Sequence, residues 1–234
     1  MLSIIIPAYN EEEVIESTVK DYYDTFSKAN IDFEIIIIPN NCSDSTVKLA
    51  ESLANDKIKV FWYKSHTIGK GQAVKVGFEK ATGDYVGFVD ADNSVKPEEF
   101  FKIYKKVKDY DCVISSRKIK GAKIEPRRRI NQWISSWFFN KAVKLIVGLK
   151  FYDTQCGGKI FKRKVIDKIL EYKDIEKGWA FDVDLLNVCL KEKFTIYEFP
   201  INWTDYKSSK LTFRAGITSV LNLFKISKRF KNEL

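Results

Sequence analysis

The chain has 234 residues, enough for one α/β domain with a substantial core and too few for two independent catalytic domains. Its 45% hydrophobic and 14% aromatic content excludes the disordered class, four dispersed cysteines (Cys42, Cys112, Cys156, Cys189) exclude a CxxC zinc ribbon or disulfide framework, and His66, the only histidine, excludes Ser-His-Asp and HExxH chemistry. The net charge of +9 is uneven: residues 117–150 carry ten Lys/Arg against Glu125 and residues 206–234 seven against Glu233, leaving the rest at −6, so an anionic partner is expected at those two segments.

The opening residues, MLSIIIPAYNEEE, have no basic leader and no adequate apolar run before Pro7, so no signal peptide is expected. Strands are predicted at 2–6, 33–38, 58–63 and 85–89, alternating with helices at 12–27, 43–54 and 71–81. Near-continuous β-branched runs such as EIIIIP imply strands covered on both faces, hence a mostly parallel, Rossmann-like sheet. Ligands in such sheets bind beyond the carboxyl ends of the strands, which singles out the loops at 7–13, 39–44, 65–71 and 90–94. The second half predicts helices at 97–108, 130–147 and 181–190, strands at 112–115, 159–161 and 195–200, a basic loop at 118–129 and a C-terminal helix. No run reaches the roughly 18 to 20 apolar residues of a spanning helix, so a soluble or peripheral protein is expected, with the cytosol as its compartment.

Asp90-Ala91-Asp92 closes the strand DYVGFVDAD. Two carboxylates spaced i, i+2 at a strand end can converge on one hard divalent cation, Mg2+ or Mn2+, that also holds a diphosphate; the plainer alternative is a pair of solvated loop acids. Gly69-Lys70-Gly71 stands about twenty residues upstream at a strand-to-helix junction, where glycines allow close backbone approach and Lys70 supplies a compact cation for a phosphate.

These motifs, taken with the run at 3–12 (SIIIPAYNEE) and the loop Asn40-Asn41-Cys42-Ser43-Asp44, resemble family 2 glycosyltransferases of the GT-A fold. Ser116-Arg117, Asp153-Thr154-Gln155-Cys156-Gly157 with Lys159 and Phe161, Trp179-Ala180-Phe181-Asp182-Val183 and Asn202-Trp203-Thr204-Asp205 with Ser209-Lys210-Leu211 look like its polyprenyl-phosphate branch, nearest to dolichyl-phosphate glucosyltransferases, with the mannosyl enzymes close behind. The resemblance implies one domain over 1–234, in which residues 1–116 bind a nucleotide sugar and residues 117–234 face the acceptor and the membrane. It implies that Pro7, Tyr9 and Glu11 line the nucleoside pocket, that Asn40 and Asp44 face base and ribose, that Lys70 and Gly71 meet the diphosphate, and that Asp90 and Asp92, with Ala91 between them, hold the metal. Arg117 and Lys210 would meet phosphate groups. Asp182 would recognise sugar, act electrostatically, or serve as a general base. The family usually has Asp-Asp where this chain has Pro39-Asn40, an amide in place of a base-reading carboxylate, so UDP and GDP donors both stay open.

The activity so implied is inverting transfer of a hexose, with UDP-glucose as the expected donor, to a polyprenyl or dolichyl phosphate; alternatives are GDP-mannose as donor and a glycan hydroxyl as acceptor. The segment 130–149 sets Trp133, Ile134, Trp137, Phe138, Val143, Leu145 and Ile146 among Lys141 and Lys144, after Arg127-Arg128-Arg129. The segment 211–230 repeats the pattern with Phe213, Ile217, Val220, Leu221, Phe224 and Ile226. Both suit a peripheral helix at the cytoplasmic face of a membrane, the alternative being helices packed on the sheet. Nucleic acid is not an expected partner, for the basic segments carry no RNP, helix-turn-helix or zinc-finger signature.

Overall fold

A computed structural model of the chain describes residues 1–64, 69–125, 130–204 and 213–231. Its first half alternates β1 (Leu2–Ala8), α1 (Ile15–Lys28), β2 (Phe33–Pro39), α2 (Thr46–Ser52), β3 (Ile58–Val60), α3 (Lys70–Lys80), β4 (Tyr85–Phe88), α4 (Pro97–Lys106) and β5 (Cys112–Ser116). The isoleucine runs make a two-faced sheet, because successive side chains point to opposite sides. Ile4, Ile6, Ile35 and Ile37 pack with Val19, Phe26 and Phe100 on the α1 and α4 side. Ile5, Ile36 and Ile38 pack with Val74, Phe78 and Phe181 on the other. Each fully buried isoleucine contributes about 2 kcal/mol of hydrophobic stabilisation, which the two cores sum over dozens of side chains.

Seven strands form one sheet in the order β3-β2-β1-β4-β7-β5-β8, in which β7 (Lys159–Lys162) runs antiparallel between β4 and β5 and β8 (Ile196–Pro200) pairs in parallel with β5. Strands from both sides of residue 117 therefore share one sheet. β1 pairs with β2 on one side and β4 on the other, and the helices that follow β1 and β4, α1 and α4, pack against each other on one face of the sheet. Three loops leave the carboxyl ends of β1, β2 and β4, where ligands of such sheets bind. Each turns on an asparagine in the left-handed region: Asn10 (φ 53°), Asn41 (φ 54°) and Asn93 (φ 57°).

The second half adds β6 (Lys123–Glu125), α5 (Ile130–Ile146), α6 (Arg163–Glu171), α7 (Phe181–Lys191), β9 (Asn202–Thr204) and α8 (Phe213–Lys231). α6 does not appear in the sequence reading, although Val165, Ile166 and Ile169 bury one face of it. The basic loop at 118–129 holds β6, which pairs in parallel with β9 in a separate two-stranded sheet; three-residue strands are too short to show a period. α5 packs against α8. On these two helices the apolar stripe divides. Trp137, Phe138, Leu145, Leu221 and Phe224 are exposed, whereas Val143, Leu223 and Ile226 are fully buried and Ile146 packs against the same core. The membrane-facing expectation for Val143, Ile146 and Ile226 is thus corrected, since a helix on a sheet must give its inner face to the core. Side chains at 130–135 and 213–217, including Trp133, Ile134, Phe213 and Ile217, lie outside the description. No helix among the described residues is long and apolar enough to cross a membrane.

Candidate active site

The chain runs from β4 through buried Val89 to Asp90 at the mouth of the crevice, where α3 begins with Lys70. The Lys70 ammonium forms an ion pair with Oδ1 of Asp90 and lies 5.6 Å from the ring centroids of both Phe88 and Phe181. Burial raises the Asp90 carboxyl, but Lys70, then Lys159 and Arg117, outweigh it and hold its pKa below the usual carboxylate range. Asp92 goes the other way: burial and then the charge of Asp90 push its carboxyl up. Its Oδ1 accepts the Ser94 N–H at 3.0 Å. The loop is held from below by α1, where the Thr18 hydroxyl donates to the Ala91 carbonyl (2.7 Å), the Tyr22 hydroxyl to the Val95 carbonyl (2.6 Å), and the Asn93 amide to Asp21 (2.7 Å). On the open side, a Cβ at Gly157 would fall 2.8 Å from Cγ of Asp90, so only glycine lets this wall approach the carboxylate.

Two carboxylates thus lie beside one lysine, and Asp92 is raised first by burial and then by the charge of Asp90. Hard oxygen donors with unbalanced charge suit a divalent cation of the Mg2+ type. Among the described residues no group of three His, Cys, Asp or Glu side chains gathers, so Asp90 and Asp92 are the pair of carboxylates that would hold such a cation.

Behind Asp90 lies a second pair. Lys159 is fully buried in β7, pairs with Asp182 in the first turn of α7, and donates to the Cys156 carbonyl at 2.8 Å. Burial works to lower the Lys70 pKa; Asp90 and then Asp182 reverse this and raise it. Charges therefore alternate from Lys159 through Asp182 and Lys70 to Asp90, which limits the cost of burying each, and Asp92 follows as a second carboxylate. Arg117 forms a bidentate pair with Asp153 through Nε (2.7 Å) and one terminal nitrogen (2.8 Å), and its guanidinium lies 5.2 Å from the Trp203 ring centroid. Glu198 accepts the backbone N–H groups of Tyr152 and Asp153, which fixes that loop.

The loops after β1 and β2 are laced together. Pro7 pairs in register with Ile38, and the Glu11 N–H donates to the Thr46 hydroxyl at 2.7 Å. Asp44 accepts the N–H groups of Glu12 and Thr46, and these contacts overcome burial to hold its carboxyl low, so its charge shapes the loop. Buried Asn40 accepts from the Asn41 amide at 2.6 Å and donates to the Gly69 carbonyl at 3.5 Å, while Tyr9 is 44% exposed at the rim. Gly71 packs against Phe181.

The structure thus gathers Lys70, Asp90, Ala91, Asp92 and Asp182 at one end of the sheet, with Arg117 within electrostatic range, and places Pro7, Tyr9, Glu11, Asn40 and Asp44 on two joined loops beside it. Lys210 and Arg127 to Arg129 lie outside the described residues. Lys159 and Asp153 carry the resemblance but were assigned no role from sequence. A lysine within the apolar stretch GGKIF was the available signal, since an unpaired buried lysine is not tolerated.

The Arg117–Asp153 pair generates a pH prediction. Asp153 is 1% exposed; burial raises its carboxyl, and Arg117 overrides this to bring the pKa down to about 2, against an ordinary value of about 3.9. Because the folded value is depressed, the stabilisation is complete above about pH 4 and is lost as pH falls toward 2. In urea titrations across pH, the wild type should lose about 2 to 3 kcal/mol over that window. Asp153→Asn should start about 3 to 5 kcal/mol less stable at pH 7, because Arg117 is stranded, and show a flatter acid limb. Parallel curves for the two proteins would refute the assignment.

The family model described as "Glycosyl transferase family 2" matches residues 3–170. The dolichyl-phosphate beta-glucosyltransferase of Dictyostelium discoideum is 33% identical over 98% of this chain and 74% of its own length. That of Drosophila melanogaster is 30% identical over 98% and 75%. Among solved structures, glucosyl-3-phosphoglycerate synthase from Mycobacterium tuberculosis, in a complex with Mn2+, UDP-glucose and phosphoglyceric acid, superposes with a TM-score of 0.69 at 16% identity, over 97% of this chain and 80% of that one. The likeness to that synthase concerns the fold, a GT-A α/β architecture. By the span of the family model and the identity to these relatives, the chain belongs to glycosyl transferase family 2 and is a glycosyltransferase.

Proposed function

We propose that the enzyme transfers glucose from UDP-glucose to a polyprenyl or dolichyl phosphate at the cytoplasmic face of a membrane. The observation that carries this reading is the Lys70–Asp90 pair with Asp92 beside it, a cation and two carboxylates beyond the carboxyl ends of β1 and β4. Support for donor and acceptor comes from the relatives, which are named for β-glucosyl transfer to dolichyl phosphate.

Chemistry follows from charge. A phosphate monoester has its second pKa near about 6, so near neutral pH it is already an anionic nucleophile and needs no base. Asp182, held by Lys159, is then not required to take a proton. Displacement at the anomeric carbon from the face opposite the diphosphate turns an α-linked donor into a β-linked product. As the sugar–oxygen bond breaks, charge builds on the departing diphosphate, and Lys70 at the start of α3 is placed to offset it. Asp90 and Asp92 would hold Mg2+ or Mn2+, which when bound supplies further neutralisation of the diphosphate. Arg117 and Lys210, with Arg127 to Arg129, would draw in the acceptor phosphate. The amide of Asn40 supplies an acceptor for a base N–H without the charge of a carboxylate.

Membrane contact is read from the exposed residues of α5 and α8. Trp137, Phe138, Leu145, Leu221 and Phe224 face outward, and Lys141 lies over the Trp137 ring at 5.0 Å, an apolar body with a charged tip suited to the headgroup zone. The anionic cytoplasmic leaflet matches the basic segments.

Two outcomes are expected. In a screen of UDP-glucose, GDP-mannose and related donors with Mn2+ and either a short polyprenyl phosphate or a free oligosaccharide, product should form from UDP-glucose and the lipid phosphate; turnover confined to the oligosaccharide or to GDP-mannose would refute the reading. The protein should also float with anionic liposomes at low salt and sediment as salt rises through the range that screens surface charge. Failure to float at low salt would remove the membrane role.

A further inference from the structure

We infer that α8 serves as a strut for the donor site: Asn222 and Arg229 position the segment at 176–181, and that segment sets Lys70 against Asp90. This rests on the reading of Lys70 as the cation that meets the donor diphosphate.

The strut can be traced bond by bond. From α8, the Asn222 amide donates to Oε1 of Glu176 at 2.9 Å, and the same oxygen accepts the Gly178 N–H at 2.9 Å, closing the turn. About two turns further along α8, Arg229 donates to Oδ2 of Asp184 at 2.8 Å, and that oxygen also accepts the Glu176 N–H at 2.8 Å. Asp184 is fully buried. Both α8 side chains thus converge on Glu176, one through its carboxylate and one through its backbone.

The other side of the segment touches the start of α3 with no room to spare. The Lys177 carbonyl accepts the Gln72 N–H at 3.1 Å. A Cβ at Gly71 would fall 2.7 Å from the Glu176 carbonyl oxygen, and one at Gly69 3.0 Å from the Lys177 carbonyl carbon. Phe181, which ends the segment, flanks Lys70. The Trp179 carbonyl accepts the Gln155 amide at 2.8 Å, tying the segment to the loop whose Gly157 abuts Asp90. A packed chain of this kind transmits displacement instead of absorbing it. A shift of Lys70 by about 1 Å is enough to cost up to about 100-fold in a site that works by alignment.

The test uses full-length Asn222→Ala, Arg229→Ala and Arg229→Lys, with Val107→Ala, a truncation in the opposite core, as the control for general destabilisation. Two quantities are read: hydrogen exchange of the backbone amides at 69–73, and affinity for UDP with Mg2+ by calorimetry. Both alanine variants should exchange faster at 69–73 and bind UDP about tenfold more weakly, with Arg229→Lys recovering most of the loss. Val107→Ala should lower the thermal midpoint and leave both quantities unchanged. If the wild type does not bind UDP while exchange at 69–73 still responds, the donor reading fails and the strut stands. If the wild type binds UDP and neither quantity moves in the alanine variants, or Val107→Ala moves them equally, the strut is overturned.

Discussion

The site depends on the burial of charge at the end of a hydrophobic strand. β4 leads to Asp90 out of a core made of Phe88, Val86 and the isoleucines of β1 and β2, and the carboxylate emerges half-buried, its side chain 31% exposed. Partial burial disfavours an unpaired ion there. Lys70 removes that cost for Asp90, but one lysine cannot serve two carboxylates, and Asp92 is left with a raised pKa and a demand for positive charge.

The surrounding structure keeps that arrangement from relaxing. Asp182 and Lys159 continue the alternation of charge inward, and Lys159 is anchored by the Cys156 carbonyl, so Lys70 cannot lower its energy by swinging away from Asp90 without leaving Asp182 poorly balanced. α1 clamps the carbonyls of Ala91 and Val95 from beneath. Arg117 is oriented by Asp153, which Glu198 holds in turn. A fixed guanidinium stacked on Trp203 is better suited to aligning an anion than a mobile one, since little side-chain entropy is left to lose. α8 belongs to the same frame, because it exposes Leu221 and Phe224 on one side and reaches Glu176 and Asp184 on the other.

Much of the donor half was legible because its signals are periodic. Runs such as EIIII in β2 announce strands buried on both faces, and the rule that ligands sit at strand ends then points to the loops bearing Asn40, Lys70 and Asp90. What was not legible depends on contacts distant in sequence. Nothing local shows that Arg117 is engaged by Asp153, or that Lys159 and Asp182 meet across 23 positions. β6 and β9 have three residues each, too few for alternation, and α6 follows β7 without a break, so its short amphipathic pattern was absorbed into the strand's surroundings. On α5 and α8 the sequence shows apolar residues but not which neighbour each one meets, and so Val143 and Ile226 were assigned outward although the sheet takes them.

The central proposal is that Asp90 and Asp92 hold a divalent cation, which in turn binds the anionic diphosphate of a nucleotide. Calorimetric titration of UDP into the wild type and Asp92→Asn, each with and without Mn2+, tests this most directly. The account predicts that Mn2+ strengthens UDP binding to the wild type by at least about tenfold and that Asp92→Asn loses most of that gain while remaining folded. Equal affinity with and without the metal, or an undiminished gain in Asp92→Asn, would contradict it.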